Sequence, residues 1–425
     1  MLLLLVNCKR EKDAAYFTVE KAAKYFREVE TICNKDNGNL WGKNLYGPLM
    51  YIDRPSRKIF ANKPDKEGLL KLKDGIYTGI YPRELIIDNI CLEYGGTLFA
   101  MAPLPSEEDD YKIITRAVHG LFHCFQKNSG FEPSRFNTRL MDEKNARLWL
   151  KLEWRALRNA INNNGEQRIQ SIRDALIFRG ARRELYPSEK TDENKFENYE
   201  GLSTLTYTLL CSDSSEKINV NLLNYLDIIY KFQSYSRTYG FLHGALYGYL
   251  AYEKGFDFKS VRTDSLDLAY KVKELYNIQL PAICRDVAGS LALSYDIQSI
   301  YIEEEQRLTD IKERIHRQIS IFTEKPVVYL ELESPYFDFE PEDIRSLDTL
   351  GTIYTAIRVS DNWGKLTVEN GGCLVSYNLK SMRITAKNFR KVKNHIYGDG
   401  WHIILNNEWE MVKMDENYFV RKLMP

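Results

Sequence analysis

From residue 106 to about residue 325 the apolar residues recur at helical spacing with few interruptions, and after Lys325-Pro326 the period changes to two. No other feature constrains the chain as much, because a helix-period stretch cannot bury its apolar face as a strand, nor the reverse. The first 105 residues mix the two patterns. Apolar residues at helical spacing run from Asp13 to about Asp36, and Met50-Tyr51-Ile52 and Lys58-Ile59-Phe60 flank Asp53-Arg54-Pro55-Ser56 as a hairpin. Further strands are expected over 76–81 and 97–102. The expected fold class is therefore α+β: an α+β N-terminal region (1–105), a mainly helical central domain (106–325) and a small β domain (326–425). A chain of 425 residues is also too long for a single core.

Within the central region, Ser106 followed by Asp109 reads as the cap of a first helix, which Asn128-Ser129-Gly130 ends. Helices are expected over 141–163, 167–184, 193–211, 218–234, 238–253 and 264–276. A charged helix over 296–323 closes the region, with Ile311, Ile315, Ile319 and Ile321 expected to seat it on the bundle. Beyond it, 327–332, 352–359, 364–368 and 373–377 read as strands, with Glu369-Asn370-Gly371-Gly372 a turn between two of them.

Lys+Arg and Asp+Glu both number 59, so no global field draws the chain to nucleic acid or an anionic membrane. None of the seven cysteines forms a C-x-x-C pair, which argues against a cysteine zinc site; their scatter reads as mostly buried free thiols. The run Met1-Leu2-Leu3-Leu4-Leu5-Val6-Asn7-Cys8 is too short to span a bilayer. It resembles the end of a bacterial lipoprotein signal, with Cys8 the lipid-bearing residue, although Asn7 departs from the small residue usual there. That reading implies a start within a truncated signal and an exported or periplasmic protein. The other reading is a short first strand in a cytoplasmic one.

Two of the six histidines, His119 and His123, lie four apart on the first central helix. That spacing puts both imidazoles on one face, where they supply half of a tetrahedral zinc site. A third ligand is expected from Glu200, in Tyr199-Glu200-Gly201-Leu202-Ser203, with Glu197 one turn earlier as its competitor. The pair has the spacing of the H-E-x-x-H metallopeptidase helix, and Tyr199 to Ser203 looks like the glutamate segment of gluzincins. The likeness extends to bacterial metallopeptidases with an H-E-x-F-H-x-x-Q helix. Here Leu150-Lys151-Leu152-Glu153-Trp154-Arg155-Ala156-Leu157, then Asp174-Ala175-Leu176-Ile177-Phe178-Arg179-Gly180-Ala181-Arg182-Arg183, follow in the order of that group. The glycine- and tyrosine-rich run from Tyr239 to Leu250 and the segment Arg358-Val359-Ser360-Asp361-Asn362-Trp363 continue it. The resemblance implies a zincin-like helical domain with zinc held by His119, His123 and Glu200.

One departure decides the functional expectation. The residue that should be the general-base glutamate is Gly120, and loss of a general base costs about 10²–10⁴ in rate. The expected function is a zinc-metallopeptidase-like protein, a hydrolase or its pseudoenzyme, with impaired hydrolysis of a peptide or protein. A non-catalytic peptide- or glycan-binding protein on the same scaffold is the alternative. In the active version Glu197 is the nearest substitute base, and Tyr239 would stabilise an oxyanion or shape the cleft. His243 would either reach the site or sit in the core. Glu153 and Arg155 would form an ion pair, buried or on the helix surface. Arg179, Arg182 and Arg183 would grip a substrate carboxylate or form a solvated helix face.

Overall fold

The computed structural model describes residues 17–82, 85–105, 108–131, 138–261, 266–324, 326–339, 344–347 and 350–423. The lipidation candidate Cys8 and the cap candidate Ser106 lie outside them. The chain divides into two compact units, Met1–Glu304 and Glu305–Pro425.

In the first unit, α1 (Val19–Asp36) starts at Thr18, whose hydroxyl accepts from the Lys21 amide. It buries Tyr25, Phe26 and Val29. The sheet contains β1 (Leu49–Ile52), β2 (Lys58–Ala61), β3 (Lys71–Lys73), β4 (Ile76–Ile80), β5 (Cys91–Tyr94) and β6 (Thr97–Pro103), in the order β3-β4-β2-β1-β6-β5. The expected hairpin is present, with Met50 opposite Ala61. β1 and β6 run parallel, and β5 pairs antiparallel with β6 at the sheet edge.

The helices are α2 (Asp110–Asn128), α3 (Lys144–Asn162), α4 (Gly165–Leu185), α5 (Lys190–Phe196), α6 (Leu202–Leu210), α7 (Ser215–Tyr230), α8 (Tyr239–Glu253), α9 (Leu268–Leu275), α10 (Arg285–Leu293) and α11 (Ile297–Thr323). α2 begins at Asp109, whose carboxylate accepts from the Lys112 amide; the cap is Asp109 itself. The helix expected over 193–211 is interrupted: a π turn, Glu197–Gly201, separates α5 from α6. None of these described helices is long and apolar enough to cross a membrane.

The second unit takes up the last part of α11. Ile315 and Ile319, expected on the helical bundle, instead join Phe322 against Leu347, Ile353 and Leu374 of the β domain. Its strands are β7 (Val327–Glu331), β8 (Tyr336–Asp338), β9 (Ile344–Ser346), β10 (Thr352–Tyr354), β11 (Ile357–Asp361), β12 (Gly364–Val368), β13 (Cys373–Val375), β14 (Ser381–Thr385), β15 (Arg390–Val392), β16 (His395–Gly398), β17 (Trp401–Leu405), β18 (Trp409–Met414) and β19 (Asn417–Lys422). They form two sheets, ordered β18-β19-β7-β14-β13-β10-β9 and β15-β16-β17-β12-β11-β8. The run over 352–359 is two strands, one in each sheet. The glycine turn after Val368 likewise carries the chain from one sheet to the other rather than closing a hairpin.

Candidate metal centre

α2 lies on the sheet with Ile113, Ala117, Val118, Leu121 and Phe122 buried. Gly120 faces β6: a Cβ added there would stand 3.2 Å from the Met101 carbonyl oxygen, 3.2 Å from Asn89 Oδ1 and 3.4 Å from the Ala100 Cβ. A glycine at this position lets helix and strand approach closely. The disulfide Cys91–Cys124 ties β5 to the same helix, immediately after His123. Nothing in the cysteine spacing announces this bond. The free-thiol expectation holds for Cys33, Cys211, Cys284 and Cys373.

His119 and His123 are buried and turn their Nε2 atoms toward each other, 2.8 Å apart. Glu200 Oε2 lies 3.5 Å from the first and 3.4 Å from the second. Three ligand atoms from two helical segments thus surround one point. Zinc at about 2.05 Å from two tetrahedral donors holds them about 3.3 Å apart. The carboxylate oxygen already stands at that spacing, and the two imidazoles need to open by about half an ångström. Burial lowers the pKa of His119, and the neighbouring His123 adds to this against the pull of Glu200. Burial alone would raise the pKa of Glu200, but hydrogen bonds and charge from both histidines hold it at about 2. The donor set is therefore two imidazoles and a carboxylate, the donor types of a zinc site, with Glu200 held as the carboxylate and burial pressing His119 toward its neutral form.

The Gln126 side chain fixes the tautomer of His123. Its amide nitrogen donates to the carbonyl oxygens of Asn198 and Tyr199, at 3.0 Å each, so its Oε1 must face His123 Nδ1, 2.8 Å away. Nδ1 then carries the proton, and Nε2 presents its lone pair to the centre. The same side chain joins α2 to the π turn that bears Glu200. Ser203 adds a second tie, donating to the His119 carbonyl oxygen at 3.2 Å. Position 126 shares the face of the histidines at i+3, and it is the glutamine position of the H-E-x-F-H-x-x-Q pattern that the helix resembles.

The chain matches no family model, no curated protein and no solved structure.

Glu197 and Tyr239 belong to a second cluster. Both Glu197 oxygens accept from Arg179 Nη2, at 2.7 and 2.8 Å, and His243 Nδ1 lies 3.1 Å from one of them. Glu193, Glu197 and His243 have the donor types of a metal site, yet the Arg179 guanidinium already supplies the cation. Glu153 pairs with Arg179 and Arg182, not with Arg155, and accepts from the Tyr247 hydroxyl at 2.7 Å. Arg155 instead reaches the Tyr295 and Asp296 carbonyl oxygens and Ser299. Arg179 and Arg182 are about as buried as any charged groups in the chain, so the solvated-face reading does not hold for them. Tyr239 is wholly buried with its hydroxyl unpartnered among the described residues, and His243 is a core histidine accepting from Trp154 Nε1 at 2.7 Å.

This cluster lies beneath the π turn. α8 approaches the turn through glycines: a Cβ on Gly244 would stand 2.3 Å from the Glu197 carbonyl oxygen, and one on Gly201 would stand 2.4 Å from the Gly244 Cα. His119 opens on its other side onto a cleft of about 570 Å³, whose walls include Asn89, Arg116, Tyr207, Tyr225 and Phe241.

Proposed function

We propose that this chain is a zinc-binding protein on a metallopeptidase-like scaffold, which holds a peptide beside the metal and hydrolyses it slowly or not at all. The observation that carries the reading is the convergence of His119, His123 and Glu200. Support comes from the Gln126 contact that leaves the His123 Nε2 lone pair turned to the centre and from the adjoining cleft. Zinc held there would supply a Lewis acid for a ligand carbonyl. Gly120 favours binding over turnover: no carboxylate stands beside the centre on α2, and the nearest sequence substitute, Glu197, is committed to Arg179. The Cys91–Cys124 disulfide supports an oxidising compartment, in keeping with the lipoprotein reading of Cys8.

Metal analysis of the purified full-length chain tests the centre. About one equivalent of zinc is expected, lost in His119→Ala and Glu200→Ala and kept in Glu197→Gln. A wild-type chain that takes up no zinc refutes the centre. Robust hydrolysis of a peptide mixture by the zinc-loaded chain, abolished by His119→Ala, refutes the assignment to binding.

A further inference from the structure

Three aromatic rings wall the cleft beside His119. The Phe241 ring lies 6.1 Å from the His119 imidazole and nearly parallel to it, at 13°. The Tyr207 ring lies 6.1 Å from the same imidazole at a tilt of 43°. Tyr225, from α7, lines the cleft with them. All three are only partly buried, so part of each borders the open space. The centre is reachable too, because the Glu200 side chain keeps 19 % of its surface exposed. Phe241 comes to the imidazole because α8 starts close against the helix before the π turn. A Cβ on Gly240 would overlap the Phe196 ring, and Phe196 in turn backs Phe241 edge-on at 5.6 Å. The charges of the cleft lie elsewhere. Asp109, Lys112 and Arg116 stand on the opening turns of α2, before His119, and Asp109 pairs with Lys112 at 3.0 Å. Burial pushes the pKa of the Tyr207 and Tyr225 hydroxyls up, so both side chains stay uncharged.

We propose that Phe241, Tyr207 and Tyr225 form a side-chain subsite that makes the cleft selective for peptides with an aromatic residue next to the carbonyl seated at the metal. The inference rests on the zinc centre proposed above and deepens it. Rings that border water gain by burial against an apolar group. An aromatic guest adds edge-to-face or offset contacts, which form at centroid separations of about 4.5–7 Å. A cleft of about 570 Å³ holds such a side chain and leaves room for the backbone on either side of it. A ligand with a small side chain reaches the metal but leaves the rings in water.

Two hydroxamates with one zinc-binding group and different side chains test this. Acetohydroxamate carries a methyl group; 3-phenylpropanohydroxamate carries a phenyl ring on a short chain. Calorimetric titration of the zinc-loaded full-length chain is expected to show the phenyl compound bound about 10- to 100-fold more tightly. Phe241→Ala and Tyr225→Ala should each cut that ratio by about threefold or more, the share of one aromatic contact. Tyr225→Phe, which keeps the ring, should retain the ratio. A wild type that binds the two probes about equally, or alanine variants that weaken both probes alike, would overturn the subsite while leaving the zinc centre standing. Loss of zinc from both alanine variants would also overturn it, because the rings would then be supporting the centre rather than a guest. Absence of zinc from the wild type would overturn both readings, and the metal analysis identifies that case before any probe is added.

Discussion

Replacing Gln126 with leucine tests whether the metal centre depends on the tie between its two ligand-bearing segments. The side chain is wholly buried and makes three hydrogen bonds: one with His123 Nδ1 at 2.8 Å and two to the carbonyl oxygens of Asn198 and Tyr199 at 3.0 Å. Leucine is close in volume, so cavity formation is a minor part of the effect. At about 1 kcal/mol net for each bond, the loss is about 3 kcal/mol of folding stability. The effect on zinc is separate. His123 loses the partner that fixes its tautomer and ring orientation, and removal of such a partner costs about 10- to 100-fold in metal affinity. Urea denaturation of the metal-free protein measures the first quantity, and competition with a chromophoric chelator measures the second. Gln126→Glu sharpens the test. It keeps an acceptor for Nδ1 while turning a carboxylate toward two carbonyl oxygens, so stability should fall while zinc affinity falls less than in the leucine variant. A Gln126→Leu protein that folds and binds zinc within twofold of wild type would refute the argument.

Three other perturbations follow from the same contacts. Gly120→Ala should destabilise the fold by about 1 kcal/mol by thermal denaturation, because crowding against the Met101 carbonyl oxygen outweighs the gain of about 1 kcal/mol in helix propensity; Gly120→Glu meets the same wall and should yield no peptidase activity, and a stabilised alanine variant would show that the strand yields. Gly244→Ala should cost about 3 kcal/mol in urea denaturation, since the atoms it meets are backbone of the π turn, and an unchanged midpoint would contradict that packing. Burial alone would raise the pKa of Glu153 and Glu193, but His243, Arg179 and Arg182 hold the first low and Arg179, Arg182 and Arg183 hold the second low. Their folded values lie below the ordinary 4.5, so their stabilisation is complete above that pH and is lost as pH falls through the lower folded values. A urea midpoint that stays flat from pH 6 to pH 3 would oppose this.

The sequence made the ligand-bearing faces legible because they depend on period alone. His119 and His123 lie one turn apart on a helix whose apolar stripe is plain, and Glu200 sits in a short segment of recognisable residue types. The π turn was not legible. Residues 193–211 have helical spacing throughout, and the interruption comes from tertiary contact: Gly201 meets Gly244 and the turn's carbonyl oxygens meet Gln126. The buried ionic cluster was misread for a related reason. Charged residues on a helix are most often solvated, and nothing near Arg179 in the chain shows that Glu153 arrives from 26 residues before it and Glu197 from 18 after it. In the β domain, the glycine-rich turn between two apolar runs was legible as a turn, but a turn alone does not say which sheet the next strand joins.

A buried ionic cluster is a poor source of stability, because the desolvation of its charges offsets much of their attraction. Its position beneath the π turn gives it a different consequence. Arg179 holds Glu197, the first residue of the turn; Asn198 donates to the Asn194 and Leu266 carbonyl oxygens at 2.6 Å each; Gln126 holds the carbonyl oxygens of Asn198 and Tyr199; and Ser203 reaches back to α2. Every tie acts on the backbone that aims Glu200 at the two histidines. The opposite side of the centre is built differently. There Gly120 has no side chain and abuts a strand, with the Met101 carbonyl oxygen and Asn89 Oδ1 each 3.2 Å from where a Cβ would stand. A chain that fixes three residues able to hold a metal ion from several directions, yet offers no carboxylate on α2 beside them, fits the proposed binding role better than turnover.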